Sequence, residues 1–144
     1  MRKMRMFGFV TVLAMIGMIS VPTKAQATWT DPATGLMWAH QDNGSLVNWN
    51  QANSYCSNLR LGGYSDWRLP TLSELTNIYD GNLSAREKYV KGGIQLSYTG
   101  LQKVWTSSTG GISAGQAWNF SFRKGWGEFD SVDYAAFALC VRRP

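Results

Sequence analysis

Histidine is nearly absent: the 144-residue chain holds one, His40. A single imidazole excludes a multi-histidine zinc centre and leaves little from which to build a Ser-His-Asp triad. Its polar loop marks it as a solvated surface residue. Cysteine is almost as scarce, with Cys56 and Cys140 alone. Charged residues make up 16% of the chain, which leaves few groups for acid–base work. There is no EF-hand pattern, and no G-x-S-x-G elbow surrounds Ser107-Ser108, which read as a strand end. Gly110-Gly111 and Gly125-Trp126-Gly127 sit among strand-like runs and not ahead of a helix, so no phosphate cradle is formed. Asp66, Glu74 and Asp80 could pair carboxylates for glycoside hydrolysis. Glu74 is better used as a helix cap, and Asp66 as a partner for Arg68. No internal repeat or low-complexity tract occurs.

What is present begins with an address. Arg2, Lys3 and Arg5 precede an apolar run from Met6 to Ile19, and Ala25-Gln26-Ala27 supplies an A-x-A cleavage signal. That order describes a secretory signal peptide over residues 1–27 and not a membrane anchor, with no span left after cleavage. The remaining residues, 28–144, are enough for one domain with one core. Four of the 14 Lys and Arg residues (Arg2, Lys3, Arg5 and Lys24) fall before the cleavage point. Ten basic residues then face nine acidic ones, a net charge of +1, so the basic pI does not argue for nucleic acid. In an exported chain, two cysteines read as a disulfide between Cys56 and Cys140, with two free thiols as the alternative.

The most ordered stretch is Gly62-Gly63-Tyr64-Ser65-Asp66-Trp67-Arg68-Leu69-Pro70-Thr71-Leu72-Ser73-Glu74-Leu75. It fuses a turn, an extended run and a helix start, and reads as a core staple. The glycine pair admits positive φ, and Leu69 before Pro70 is pushed out of helical geometry. Thr71 with Glu74 forms a capping box, and Leu72, Leu75 and Ile78 give the helix an apolar stripe closed by Asp80-Gly81. Trp67 and Leu69 should face one way along the extended run, Asp66 and Arg68 the other.

Around that staple, Trp29 to Trp38 reads as a hairpin turning through Asp31-Pro32 and Gly35. Asn48 can cap a first helix, with Gln51 at the third position and Trp49, Ala52, Tyr55, Cys56 and Leu59 on one face. Gly62-Gly63 should stop it. Residues 81–103 show no periodicity and hold Arg86, Lys88, Lys91 and Lys103, with a helical turn expected near Ser84–Lys88; long loops of this kind are often functional. Val104–Ser108 reads as a strand, and Trp118, Phe120 and Phe122 alternate with polar residues in another. Lys124 to Gly127 should turn into a partner strand near Glu128–Val132. Phe137–Val141 is apolar on both faces, as in a central strand. Helices early and strands late give an α+β class, two helices packed on a mainly antiparallel sheet.

Five segments together resemble a known family. They are Gly35-Leu36-Met37-Trp38-Ala39, the Trp49-x-x-Ala52-x-x-x-Cys56 helix, and Gly63 to Thr71 with its Asp-Trp-Arg-Leu-Pro-Thr run. Trp105-Thr106-Ser107-Ser108 and Cys140-Val141-Arg142 complete the set. Their order is similar to that of the Lcl C-terminal-domain family of exported bacterial domains, over nearly all of residues 28–144. More distantly, Arg-Leu-Pro-Thr before a helix and a closing Cys-Val-Arg resemble formylglycine-generating-enzyme-like domains, which share a C-type-lectin-like architecture. The resemblance implies a C-type-lectin-like fold in which a helix-to-last-strand disulfide ties Cys56 to Cys140. It implies neither that enzyme's chemistry, which needs a reactive cysteine pair, nor lectin calcium binding, since Trp118-Asn119-Phe120 lacks the carboxylate of Trp-Asn-Asp.

The functional expectation is an exported, non-catalytic binding module without cofactor or metal, for glycans or acidic polysaccharides of the cell envelope. An enzyme on the same scaffold and a structural part of an envelope assembly are the alternatives. Trp67, Trp105, Trp118, Phe120 and Phe122 read as core. Trp126, between two glycines in a turn beside Arg123 and Lys124, is the aromatic that could stack on a ligand. In lectin-like domains the long loop and the late hairpin share a face. On that resemblance, Arg86, Lys88, Lys91, Arg123 and Lys124 would surround Trp126 as a shallow basic site, while Asp66 to Thr71 and Glu74 remain structural.

Overall fold

A computed structural model describes residues 27–97, 100–109 and 114–144. The expected signal peptide, up to residue 26, lies outside the described residues. Among them the chain forms two α-helices and six strands: β1 (Thr28–Thr30), β2 (Met37–Ala39), α1 (Trp49–Asn58), α2 (Leu72–Ile78), β3 (Lys103–Thr109), β4 (Gln116–Ser121), β5 (Trp126–Ser131) and β6 (Val141–Arg142). The class is α+β. Where one sheet was expected there are two, each three-stranded and antiparallel, in the orders β1-β2-β6 and β3-β4-β5.

Both helix starts follow from their caps. Asn48 accepts from the Gln51 N–H while Gln51 Oε1 accepts from the Asn48 N–H, and Thr71 and Glu74 repeat the exchange at α2. Each box satisfies two N–H groups that a helix start otherwise leaves unpaired. Both helices end earlier than the glycines suggested, at extended Leu59 and Tyr79. Gly62 and Gly63 (φ 64° and 85°) instead make a tight reversal between Leu61 and Tyr64.

Two tryptophans fasten α1 to β3. Trp49 Nε1 donates to the Thr106 carbonyl at 2.8 Å, and Trp105 Nε1 donates to the Val47 carbonyl at 2.9 Å. Beneath them, Ala52, Cys56, Trp67, Leu69, Trp105 and Cys140 form one buried cluster. Leu75, Ile78, Val104, Phe120, Phe122, Leu139 and Val141 form the other, under α2. Each large side chain buried this way contributes about 1.5–3 kcal/mol. Trp67 and Leu69 are buried, and Asp66 and Arg68 face out, as period two requires. Trp118 is only half-buried and lies against Phe129, with ring centroids 3.5 Å apart.

The run Phe137–Val141 is not one strand. Phe137 pairs in parallel with Val104, whereas Val141 pairs with both Trp38 and Arg68. Its backbone therefore bonds first to one sheet and then to the other, including Ala39 N to Cys140 O at 2.9 Å. This seam is central because it is shared. Cys140 on it bonds to Cys56 of α1, with Cα atoms 5.5 Å apart. The helix-to-last-strand disulfide is thus present, one residue ahead of β6. Among the described residues no helix is long and apolar enough to cross a membrane.

Candidate functional site

The loop after α2 is closed at its neck. Tyr79 bridges Val90, and Asp80 N–H donates to the Tyr89 carbonyl at 2.8 Å. Inside the neck the chain makes a single tight turn near Ser84–Lys88, where one was expected, with the Glu87 N–H donating to the Ser84 carbonyl at 3.0 Å and the Lys88 N–H to the Ala85 carbonyl at 3.2 Å. The Ser84 N–H and Oγ both donate to Glu87 Oε2, at 3.0 and 2.9 Å. The backbone bond from Ser84 is the first cause holding the Glu87 carboxyl below its usual range, followed by the bond from its hydroxyl. Asp80 Oδ1 is similarly used by the Asn82 N–H at 2.9 Å. Lys88 and Tyr89 then take φ of 55° and 56°, a region costly for residues with a Cβ.

The next turn is anchored from below. Gly92 (φ 71°) lies on the Trp29 indole so closely that an added Cβ would stand 2.2 Å from Trp29 Cδ2. His40 Nε2 is 3.1 Å from the Gly92 carbonyl, which requires its proton on that nitrogen. His40 is therefore a half-buried fastener of the loop and not a free surface residue.

These anchors shape a hollow of about 380 Å³ lined by Asp80, Arg86, Glu87, Lys88 and Lys91 with residues 92–95. Lys88 Nζ donates to the Leu96 carbonyl, and Lys91 Nζ to the Asn77 carbonyl at 3.0 Å. Arg86 makes no hydrogen bond or ion pair among the described residues. Arg86, Lys88 and Lys91 thus lie together on one concave surface.

The other half of the expected site is arranged differently. The turn between β4 and β5 is Phe122–Gly125, and Trp126 opens β5 opposite Ser121. Trp126 is 57% exposed, with Lys124 Nζ 5.9 Å from its ring centroid. Lys124 is committed to Glu128 at 2.6 Å, and Arg123 donates to the Gly100 carbonyl at 3.1 Å. Neither they nor Trp126 line the hollow. What joins the two places is Tyr79. Its ring packs on Gly125, where a Cβ would stand 2.6 Å from Cζ, and lies 6.4 Å from the Tyr89 ring.

Lys103, counted with the loop cations from sequence, belongs to β3 and is buried between Glu128 and Asp130, at 2.7 and 2.9 Å. Asp66 does not pair with Arg68. It accepts from Arg142 at 2.6 Å, the guanidinium of which also covers the Tyr64 ring at 3.7 Å, while Arg68 takes Glu74.

The family model of the Lcl C-terminal domain matches residues 27–142. The chain belongs to the Lcl C-terminal domain family. No curated protein matches it. In this Lcl C-terminal domain the ion pairs of the described residues use Arg68, Lys103, Lys124 and Arg142. Arg60, Arg86, Lys88, Lys91, Arg123 and Arg143 stand outside that set, held by neutral carbonyls or by nothing among the described residues; three of them, Arg86, Lys88 and Lys91, share one hollow. Sequence reasoning missed Tyr79, Tyr89 and Trp29 as the frame of the hollow. The glycines against which two of them pack, Gly92 and Gly125, were the available signal.

Proposed function

We propose that this Lcl C-terminal domain is an exported, non-catalytic binding module for acidic polysaccharides, with the hollow beyond α2 as its ligand face. One observation carries the reading. Arg86, Lys88 and Lys91 line a single concavity with no carboxylate paired to any of them among the described residues, while the two acids that line it with them, Asp80 and Glu87, each turn one oxygen to a turn N–H and leave the three cations in excess. A sulfate or carboxylate entering there meets cations that have no ion partner to lose. Arg123 extends the charge across Tyr79, and Trp126 offers an exposed ring at that end.

Two facts favour export and a binding role. A disulfide is retained outside the cytoplasm. Both cysteines of the chain are engaged in it, which leaves no thiolate nucleophile. The lectin-like resemblance fits the same reading.

The test is retention on immobilised dextran sulfate compared with neutral dextran. The sulfated matrix alone should hold the protein, releasing it as salt approaches the range where exposed charges are screened beyond about 8–10 Å. Arg86→Ala with Lys91→Ala should elute earlier. Equal retention of that folded variant and the parent would overturn the placement of the site.

A further inference from the structure

We propose a second ligand site, for an uncharged saccharide, around Tyr55. Three hollows, of about 500, 380 and 260 Å³, meet at this one side chain. The first two fall in the range of about 300–1,000 Å³ that small-ligand sites occupy. Tyr55 stands on α1 and is 38% exposed, offering a flat aromatic face to the C–H side of a sugar ring.

Carboxamides surround it, and three of them are pinned at one end by backbone. Asn43 Oδ1 accepts from the Ala138 N–H at 2.9 Å, which leaves its amino group as the free donor. Gln51 Oε1 accepts from the Asn48 N–H at 3.0 Å, with the same result. Gln95 is pinned the other way, its Nε2 donating to the Gly93 carbonyl at 2.8 Å, so its oxygen is the free acceptor. Gln41 and Asn58 line the same hollows and hydrogen-bond nothing through their side chains among the described residues. Fixed donors and a fixed acceptor about an aromatic ring suit vicinal hydroxyls, because little side-chain entropy remains to be lost on binding.

Charge argues against other ligands. The Asp42 carboxylate is buried and already accepts from Ser97 N–H, Ser97 Oγ and the Gly44 N–H. Arg60 is the cation that lines these hollows, and His40 lies at their edge. An anion would meet the Asp42 charge as well as the single Arg60 guanidinium, and an apolar ligand would strand several amides. Burial, and then the Asp42 charge, push the Tyr55 hydroxyl above its ordinary value, so it remains a donor at neutral pH.

The site shares Gln95 with the basic hollow but none of the three cations there, and the experiment separates them. Backbone amide spectra of the full chain are recorded with glucose, galactose, mannose and N-acetylglucosamine, and with their disaccharides, at about 20 mM, well above a Kd of ~1 mM. At least one sugar should shift the amides of residues 41–43, 51–58 and 95. Tyr55→Ala should weaken that sugar by about tenfold or more and Tyr55→Phe by less, both keeping full retention on dextran sulfate. Gln41→Ala, whose side chain holds nothing else in place, gives the same reading should Tyr55→Ala fail to fold. No shift at those amides with any sugar, or unchanged affinity in the folded variants, would overturn the site.

Discussion

The Arg68 guanidinium and the Glu74 carboxylate meet through two parallel hydrogen bonds, at 2.8 and 2.9 Å. Glu74 Oε1 also takes the Thr71 N–H at 2.8 Å. One carboxylate therefore caps α2 and ties it to the extended run that leads into it. Glu74→Ala should lower stability by about 1–2 kcal/mol, and Glu74→Gln by less, because the amide still reaches the Thr71 N–H. The Arg68 bond is the first cause holding the Glu74 carboxyl below its usual range. A depressed carboxyl adds stability above its unfolded value and loses it as pH falls through the folded one. Urea melts at about pH 6 and pH 3 should show that loss in the parent and a smaller one in Glu74→Gln.

Glu128 offers a second acid-sensitive contact. Hydrogen bonds from Lys103, and then from Lys124, bring its carboxyl down to about 2. Its contribution is complete above about 4.5 and disappears towards about 2, so melting temperature should fall across that window. Glu128→Gln should flatten the fall. An identical slope in the variant would show that the pair adds nothing to the folded state.

Gly92→Ala places a Cβ into Trp29 and holds a side chain at φ 71°. It should cost at least about 1 kcal/mol and distort the basic hollow. Melting curves read the first effect, and retention on dextran sulfate reads the second. Full stability together with full retention would contradict the anchoring role given to Trp29.

The Cys56–Cys140 bond spans 84 residues of sequence. In the chain-entropy model a loop of that size is worth about 4.6 kcal/mol, so a Cys56→Ala, Cys140→Ala variant should unfold at correspondingly lower urea. A stability change under about 1 kcal/mol would show that α1 and the seam hold without it.

What the sequence made legible was short in range. Both capping boxes and the β1–β2 hairpin depend on residues a few positions apart, and each stands where it was expected; β4 is a strand, but its expected alternation fails, because Asn119 and Ser121 are buried and Trp118 is only half-buried. The Arg142–Asp66 pair joins residues 76 apart, and the nearer Arg68 was taken as the partner in its place. Phe137–Val141 looked like one central strand because a seam between two sheets is apolar on both faces too. Gly125-Trp126-Gly127 looked like a turn, but only Gly125 has positive φ; Gly127 is small because Leu72 Cδ1 would stand 2.6 Å from a Cβ there. The loop cations were legible as a group because a neck of two backbone contacts keeps them together. The carboxamides about Tyr55 come from three separated segments, a convergence that only the fold reveals.

The salt dependence of dextran sulfate affinity, compared between the parent and Arg86→Ala with Lys91→Ala, tests the central claim most directly. The account predicts affinity that weakens steeply with salt in the parent, and a shallower dependence with weaker low-salt binding in the variant. The same affinity and the same salt dependence in both folded proteins would contradict it.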